Sequence, residues 1–270
     1  RYAPRMQTQS YSRTILETAL RHALERNEFV LYYQPRMDLK TRRITGVKAL
    51  LRWKHPELGL MMPLDFLPVL EESALILPVG AWVLATAVEQ ARSWIAQGQM
   101  LTVSVSLSAR QFYQRDIARN FAAALEAAGV PGHCIELEIA AGILIDSNHN
   151  CELILRQFRQ LGMAIAISDF GTGDASLTYL KRFPTDAVKI EKCFVDDLGK
   201  PGGDSAVVRA IVAMARTLGL RTIAGGVESG EQLELLAEMG CDEAFGYFLG
   251  RAVAPEDIEA LLKSSEAIQN

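Results

Sequence analysis

Apolar positions recur along the chain in two alternating rhythms. From Ser10 to Asn27, the residues Ile15, Leu16, Ala19, Leu20, Ala23 and Leu24 form one stripe at helical spacing, which predicts an amphipathic helix. Phe29 to Tyr33 and Gly46 to Arg52 are short apolar runs of strand type, whereas Leu64 to Leu77 and Ala81 to Gln97 are helical. Leu101 to Leu107 alternates apolar with small polar residues, as a strand does. Further strands are predicted at Cys134 to Ile139, Met163 to Ile167, Ala187 to Ile190, Arg221 to Ala224 and Glu243 to Gly246. Helices are predicted between them: Ala109 to Ala128 (stopped by Gly129 and Pro131), Cys151 to Leu161, Ser205 to Leu218 and Gly230 to Met239, with Pro255 to Lys263 closing the series.

Strands that alternate with helices imply a mainly parallel sheet, and the repeat number suits one closed α/β barrel of about 250 residues. A chain of 270 residues holds such a barrel with little left over. One link departs from the pattern. Only a polar turn around Met37 to Arg43 separates the first two strands. Parallel crossovers need about a dozen residues, so this pair is predicted antiparallel. No internal repeat, low-complexity tract or second globular domain stands out.

Composition changes this picture little. Hydrophobic residues make up 49% and charged residues 22%, and the net charge of -4 supplies no bulk basic field for long nucleic acid. A local basic pocket for a small nucleotide stays open. Cys134, Cys151, Cys193 and Cys241 form no C-x-x-C pair and are expected to be buried thiols of a cytoplasmic protein. His22, His55, His133 and His149 lack metal-ligand spacing. No signal-peptide pattern is seen, and the longest apolar run, Leu75 to Ala87, is broken by Pro78 and Gly80 and is too short to span a bilayer, so no membrane contact by this fragment is expected.

In α/β barrels the working residues sit at the C-terminal ends of the strands. Here those ends carry Arg52, Ser106-Leu107-Ser108, Glu138, Ser168-Asp169, Lys189-Ile190-Glu191, the run from Gly225 to Glu228, and Phe245. Strand ends also turn polar simply because they meet water, so no single residue decides the matter. The ordered series does more.

Tyr33-Gln34-Pro35, Leu51-Arg52-Trp53, the run from Val105 to Phe112, Glu136-Leu137-Glu138-Ile139, Asp169-Phe170-Gly171-Thr172-Gly173, Val188-Lys189-Ile190 and Val227-Glu228 follow one another in an order and spacing that resembles the EAL domain. That family hydrolyses the bacterial messenger cyclic di-GMP. The resemblance runs from Phe29 to Val253 and implies a TIM-like (β/α)8 barrel variant of the α/β class, with one antiparallel strand. It also implies a division into a connector helix over 1–28, from a preceding GGDEF-like domain, and an EAL-like barrel over 29–265. Tyr2 to Met6 would be the remnant before the connector.

The same comparison shows departures. Lys48 stands where the family's Glu-Ala-Leu-Leu-Arg strand has a metal-binding Glu, Ser106 where it has Asn, and Ser168 where it has Asp. Ala140-Ala141 replaces Thr-Glu, Glu191 an Asp, Gly225 a Glu, and Phe245 the Gln of Gln-Gly-Tyr. Magnesium and manganese require oxygen ligands, and an ammonium beside a divalent ion repels it. The resemblance therefore implies an inactive, metal-independent cyclic di-GMP receptor of the FimX and LapD kind, without catalytic residues or cofactor. Its expected ligand contacts are Gln34, Lys48, Leu51, Arg52, Ser106, Glu138, Asp169, Lys189, Glu228 and Phe245. Lys48 would assume the metal's electrostatic role beside Lys189, Arg52 would fork a phosphate or guanine edge, and Phe245 would offer a ring face to a purine or an apolar wall. Ser106, Ser168 and Gly225 are small, so an open pocket is expected.

A nucleotide-free protein-interaction scaffold is the alternative, with Arg52–Glu228 and Lys189–Asp169 as structural ion pairs. An active phosphodiesterase is the least favoured reading. A PilZ-type adaptor or another domain would receive the signal, in biofilm or motility control, and the chain would be monomer or dimer. The loop from Phe170 to Leu177 resembles the segment that couples the family's site to its dimer face.

Overall fold

The computed structural model describes residues 4–145, 151–171, 177–200 and 203–267. Tyr2 and Ala3, His149, and Thr172, Gly173 and the rest of the loop over 172–176 lie outside the described residues. The chain opens with helix α1 (Pro4–Glu25), then β1 (Phe29–Asp38), β2 (Arg43–His55) and β3 (Gly59–Met61). Helices α2 (Pro63–Glu72) and α3 (Ile76–Ala96) lead to β4 (Thr102–Leu107), and α4 (Ala109–Phe112) and α5 (Ile117–Ala128) to β5 (Ile135–Ala140). Next come α6 (Ala141–Ile145), α7 (Cys151–Gln160), β6 (Ala164–Ser168), α8 (Leu177–Arg182), β7 (Ala187–Ile190) and α9 (Lys192–Val195). The chain ends with α10 (Ser205–Thr217), β8 (Arg221–Gly225), α11 (Gly230–Met239), β9 (Glu243–Phe245) and α12 (Pro255–Ala267).

The strand order is β1-β9-β8-β7-β6-β5-β4-β2-β3, and an added β1–β2 pairing closes eight strands into a ring, with β3 outside it. β1 runs antiparallel to both of its neighbours in the ring, β2 and β9, and the other ring pairs are parallel. The predicted fold class and its single antiparallel strand are therefore both present. The barrel's packing is one large core that includes Val47, Val103, Leu137, Ile167, Val188 and Ala244. A second core lies under α1, where Leu20 and Ala23 pack with Phe29, Trp53, Phe66, Leu70, Ile76 and Val79.

Several predicted bounds move, each for a local reason. The two helices before β4 divide at Ser73 rather than at Pro78 to Gly80. Ser73 Oγ donates to the Leu70 carbonyl and accepts from the Leu75 N–H, which turns the chain. Pro78 falls in the first turn of α3, where a missing N–H costs nothing. The single helix predicted from Ala109 to Ala128 is two, α4 and α5. Ser108 and Gln111 form a capping box on α4, and the Tyr113 hydroxyl donates to the Ile143 carbonyl at 2.5 Å just where the helix stops. Strand β3 and the short helices α6, α8 and α9 were not predicted. The cysteine expectation needs one correction: Cys134, Cys151 and Cys241 are buried, but Cys193, on α9, is exposed. Among the described residues no helix is long and apolar enough to cross a membrane.

Candidate functional site

Successive residues of a strand alternate faces, so Glu136 and Glu138 on β5 both point into the barrel. Each organises one layer of charge. The deeper layer holds Glu136, fully buried, between Arg36 and Arg221. Glu243 from β9 completes it, pairing with Arg221 and lying 2.7 Å from Arg36 Nε. Gly46 on β2 makes room for this layer, since a Cβ there would sit 2.9 Å from Arg36 Nη2 and 2.8 Å from the Thr102 carbonyl. The sequence reading missed this network, although the spacing of Glu136 and Glu138 was its visible signal.

The upper layer lies at the C-terminal mouth. Lys48 Nζ is 2.8 Å from Glu138 Oε1 and 2.6 Å from Oε2. Lys189 Nζ donates to the same Oε1 at 2.7 Å and lies 3.4 Å from Glu191 Oε1. Ser106 Oγ reaches Glu138 Oε2 at 3.5 Å. Burial alone pushes the Glu138 carboxyl upward, but the charges and hydrogen bonds of Lys48 and Lys189 outweigh it and bring it down to about 2. The two lysines fare differently. Burial pulls Lys48 down, Glu138 offsets only part of that, and the neighbouring Lys189 charge adds to the fall. Burial pulls Lys189 down as well, but Glu138 and Glu191 together raise it above its ordinary value.

The expected open pocket exists on two flanks and not at the centre. Between the charge layers there is a space of only about 10 Å³. One flanking cavity of about 240 Å³ is lined by Gln34, Lys189, Lys192, Glu228, Phe245 and Tyr247, among others. The other, of about 280 Å³, lies between the mouth and α2, with Lys48, Leu51, Pro63, Leu67, Ser106 and Gln111 on its walls. The space vacated at Gly225 is taken by the Phe245 ring, whose Cζ lies 2.9 Å from where a Cβ would stand.

The remaining candidates fall around this centre. Gln34 is buried and its amide nitrogen donates to the Gly250 carbonyl at 3.1 Å, so that group is engaged within the protein. Asp169 is exposed in a left-handed turn, φ 57°, and its N–H donates to Glu191 Oε1. Glu228 pairs with Lys192 at 2.7 Å, not with Arg52, and Lys189 is held by Glu138 and Glu191, so the two ion pairs offered from sequence give way to others. Arg52 is 6% exposed. Its guanidinium donates to the Leu51 carbonyl and faces the Tyr32 ring at 5.9 Å, with no carboxylate partner among the described residues. Burial lowers its pKa, partly offset by Tyr247 and Tyr32.

The donor set does not fit a divalent cation. Both Glu138 oxygens are taken by ammonium groups, and Glu191 is engaged by Lys189 and the Asp169 N–H. Among the described residues no group of three or more His, Cys, Asp or Glu converges to hold a metal ion.

Residues 17–252 match the EAL domain. The chain belongs to the EAL domain family. It is 42% identical over 245 residues to the bifunctional diguanylate cyclase/cyclic di-GMP phosphodiesterase MucR of Pseudomonas aeruginosa, covering 89% of this chain and 35% of MucR. The chain spans about a third of the length of the curated relatives it matches. Among solved structures, the PaMucR phosphodiesterase in complex with c-di-GMP superposes with a TM-score of 0.86 at 39% identity, covering 90% of this chain and 99% of that one. The FimX EAL domain of Xanthomonas citri, in complex with c-diGMP, shares the fold at 22% identity, with a TM-score of 0.83 over 92% of this chain and 97% of that one. Of the positions at which the sequence departs from the EAL pattern, Lys48 and Ser106 both meet Glu138, and Ser168 ends β6.

Proposed function

We propose that this EAL domain is a cyclic di-GMP receptor that binds its ligand without a metal and does not hydrolyse it. The observation that carries the reading is Arg52, a buried guanidinium near the C-terminal end of β2 with no carboxylate partner among the described residues. A buried charge left alone is costly, so such a group favours an arriving anion. Cyclic di-GMP brings two phosphate charges, and the likeness to the MucR domain in complex with c-di-GMP supports that choice of ligand. The two flanking cavities, each next to one of the lysines on Glu138, offer space on either side of the cationic centre.

The absence of hydrolysis rests on charge. Hydrolysing a phosphodiester needs a cation that activates water and neutralises developing charge. Two unit charges 4 Å apart interact by about 4 kcal/mol at an effective dielectric of 20, and a divalent ion beside Lys48 would meet roughly twice that as repulsion. MucR is named as a phosphodiesterase, so this chain would differ from it by its own residues at the site rather than by fold. In the same reading residues 1–28 connect to a GGDEF-like domain, the protein works in the cytoplasm as monomer or dimer, and it passes its signal to a PilZ-type adaptor or another domain in biofilm or motility control.

The closed Lys48–Glu138–Lys189 cluster favours a second reading, a nucleotide-free scaffold, because these charges already satisfy one another. Equilibrium dialysis against labelled cyclic di-GMP in EDTA, then chromatography of the nucleotide after incubation with magnesium or manganese, separates the three cases. Retained, intact nucleotide supports the receptor. Linear product would overturn it in favour of an enzyme, and no retention would leave the scaffold.

A further inference from the structure

Phe245 was expected to offer a ring face to a purine or an apolar wall. Its ring faces two cations. Lys48 Nζ lies 5.7 Å from its centroid and Lys189 Nζ 5.4 Å, both within cation–π range. These ammonium groups also share Glu138 Oε1, at 2.8 and 2.7 Å. Two like charges so close repel, and the features that hold them together are carboxylates and this ring. The ring's position is in turn set by a glycine. At Gly225 a Cβ would lie 2.9 Å from Phe245 Cζ and 3.3 Å from both Phe245 Cε1 and Lys189 Cε. Ala166, Ala187 and Ile223 pack against the ring from the barrel wall. Lys48 on β2, Lys189 on β7, Gly225 on β8 and Phe245 on β9 thus meet in a single contact set.

We propose that Phe245 is a positioning residue: its ring, seated in the space that Gly225 leaves, holds the Lys48 and Lys189 ammonium groups together on Glu138 as a fixed cationic pair for a phosphate. The phosphate half of this rests on the receptor reading above. The ring–ammonium half stands without any ligand. A benzene face attracts cations and supplies no oxygen ligand, so the ring commits the mouth to fixed ammonium charge where a Gln would offer polar atoms. Gly225 and Phe245 act as one device, since any side chain at position 225 meets the ring.

Two measurements on the full chain test this. In protein carrying lysine labelled with carbon-13 at Cε, the Lys48 and Lys189 ε-methylene signals, assigned through Lys48→Arg and Lys189→Arg, are expected to show upfield ring-current shifts. Those shifts should vanish in Phe245→Leu, persist in Phe245→Trp and be disturbed in Gly225→Ala. Calorimetric titration with cyclic di-GMP should then show Phe245→Leu about tenfold weaker and Phe245→Trp within about threefold of the parent. Gly225→Ala should match Phe245→Leu, and the double variant should be no weaker than either. Lysine signals unmoved in Phe245→Leu would overturn the proposal, whatever the affinity. Moved signals with unchanged affinity would overturn its phosphate half. If the parent binds no nucleotide, the receptor reading fails and the lysine signals alone decide the ring–ammonium contact. Phe245→Met takes the place of the leucine variant if the latter does not fold.

Discussion

Lys48 and Glu138 meet across the barrel mouth, with Lys48 Nζ 2.6 Å from Glu138 Oε2. They stand on β2 and β5, and β4 between them contributes Ser106, whose hydroxyl reaches the same oxygen at 3.5 Å. A carboxylate that could ligate a metal is thereby committed to ammonium groups of its own chain.

The Glu138 carboxyl sets one acid-side prediction. Its folded pKa of about 2 lies below the ordinary 4.5, so its contribution is fully present above the unfolded value and is lost as pH falls from 4.5 toward 2. That depression is worth about 3 kcal/mol. Urea denaturation of the parent and of Glu138→Gln across this range should show a gap of about that size at pH 7 that closes near pH 2. A gap independent of pH would contradict the assignment.

Arg52→Met keeps the aliphatic stem and removes a buried charge that has no carboxylate partner among the described residues. Its stability should change by less than about 1 kcal/mol, while cyclic di-GMP affinity falls by about thirtyfold or more. Denaturation and calorimetry on the same preparation measure both. A large stability loss would indicate a structural ion pair and count against the receptor.

Restoring the family's ligand types should restore the metal. Lys48→Glu alone places two carboxylates together and should destabilise the fold at neutral pH. The triple variant Lys48→Glu, Ser106→Asn, Ser168→Asp is expected to gain a manganese-dependent thermal shift and measurable cyclic di-GMP hydrolysis. If the triple variant shows no metal response, the proposed absence of metal ligands at these three positions is not what would separate this chain from an active phosphodiesterase.

Glu136→Gln breaks the deeper layer, leaving the buried Arg36 and the partly exposed Arg221 short of one counter-charge. It should cost about 3–5 kcal/mol by urea denaturation. Little change would mean that Glu243 alone holds both guanidiniums.

The barrel was legible because its strands and helices alternate, and the antiparallel β1 because its link to β2 is too short for a crossover. Ser106, Glu138, Lys189 and Phe245 were legible as one group because strand ends converge, and Lys48 through the resemblance to the EAL strand. The partners inside that group were not. Whether Lys189 would choose Glu138 or Asp169, and Glu228 choose Arg52 or Lys192, depends on distances of a few ångströms that no strand pattern encodes. The ring of Phe245 likewise read as a surface for a base or an apolar wall, because the sequence does not show that Gly225 leaves the space it fills. The α4–α5 break was hidden by a continuous helical pattern, and the Tyr113 hydrogen bond to Ile143 that accompanies it is tertiary.

Calorimetric titration of cyclic di-GMP into the chain, in EDTA and again in magnesium, tests the central claim most directly. Micromolar or tighter binding in EDTA, unchanged by magnesium, is the predicted result. Binding that appears only with magnesium would contradict the reading of Lys48 as the resident cation of the site.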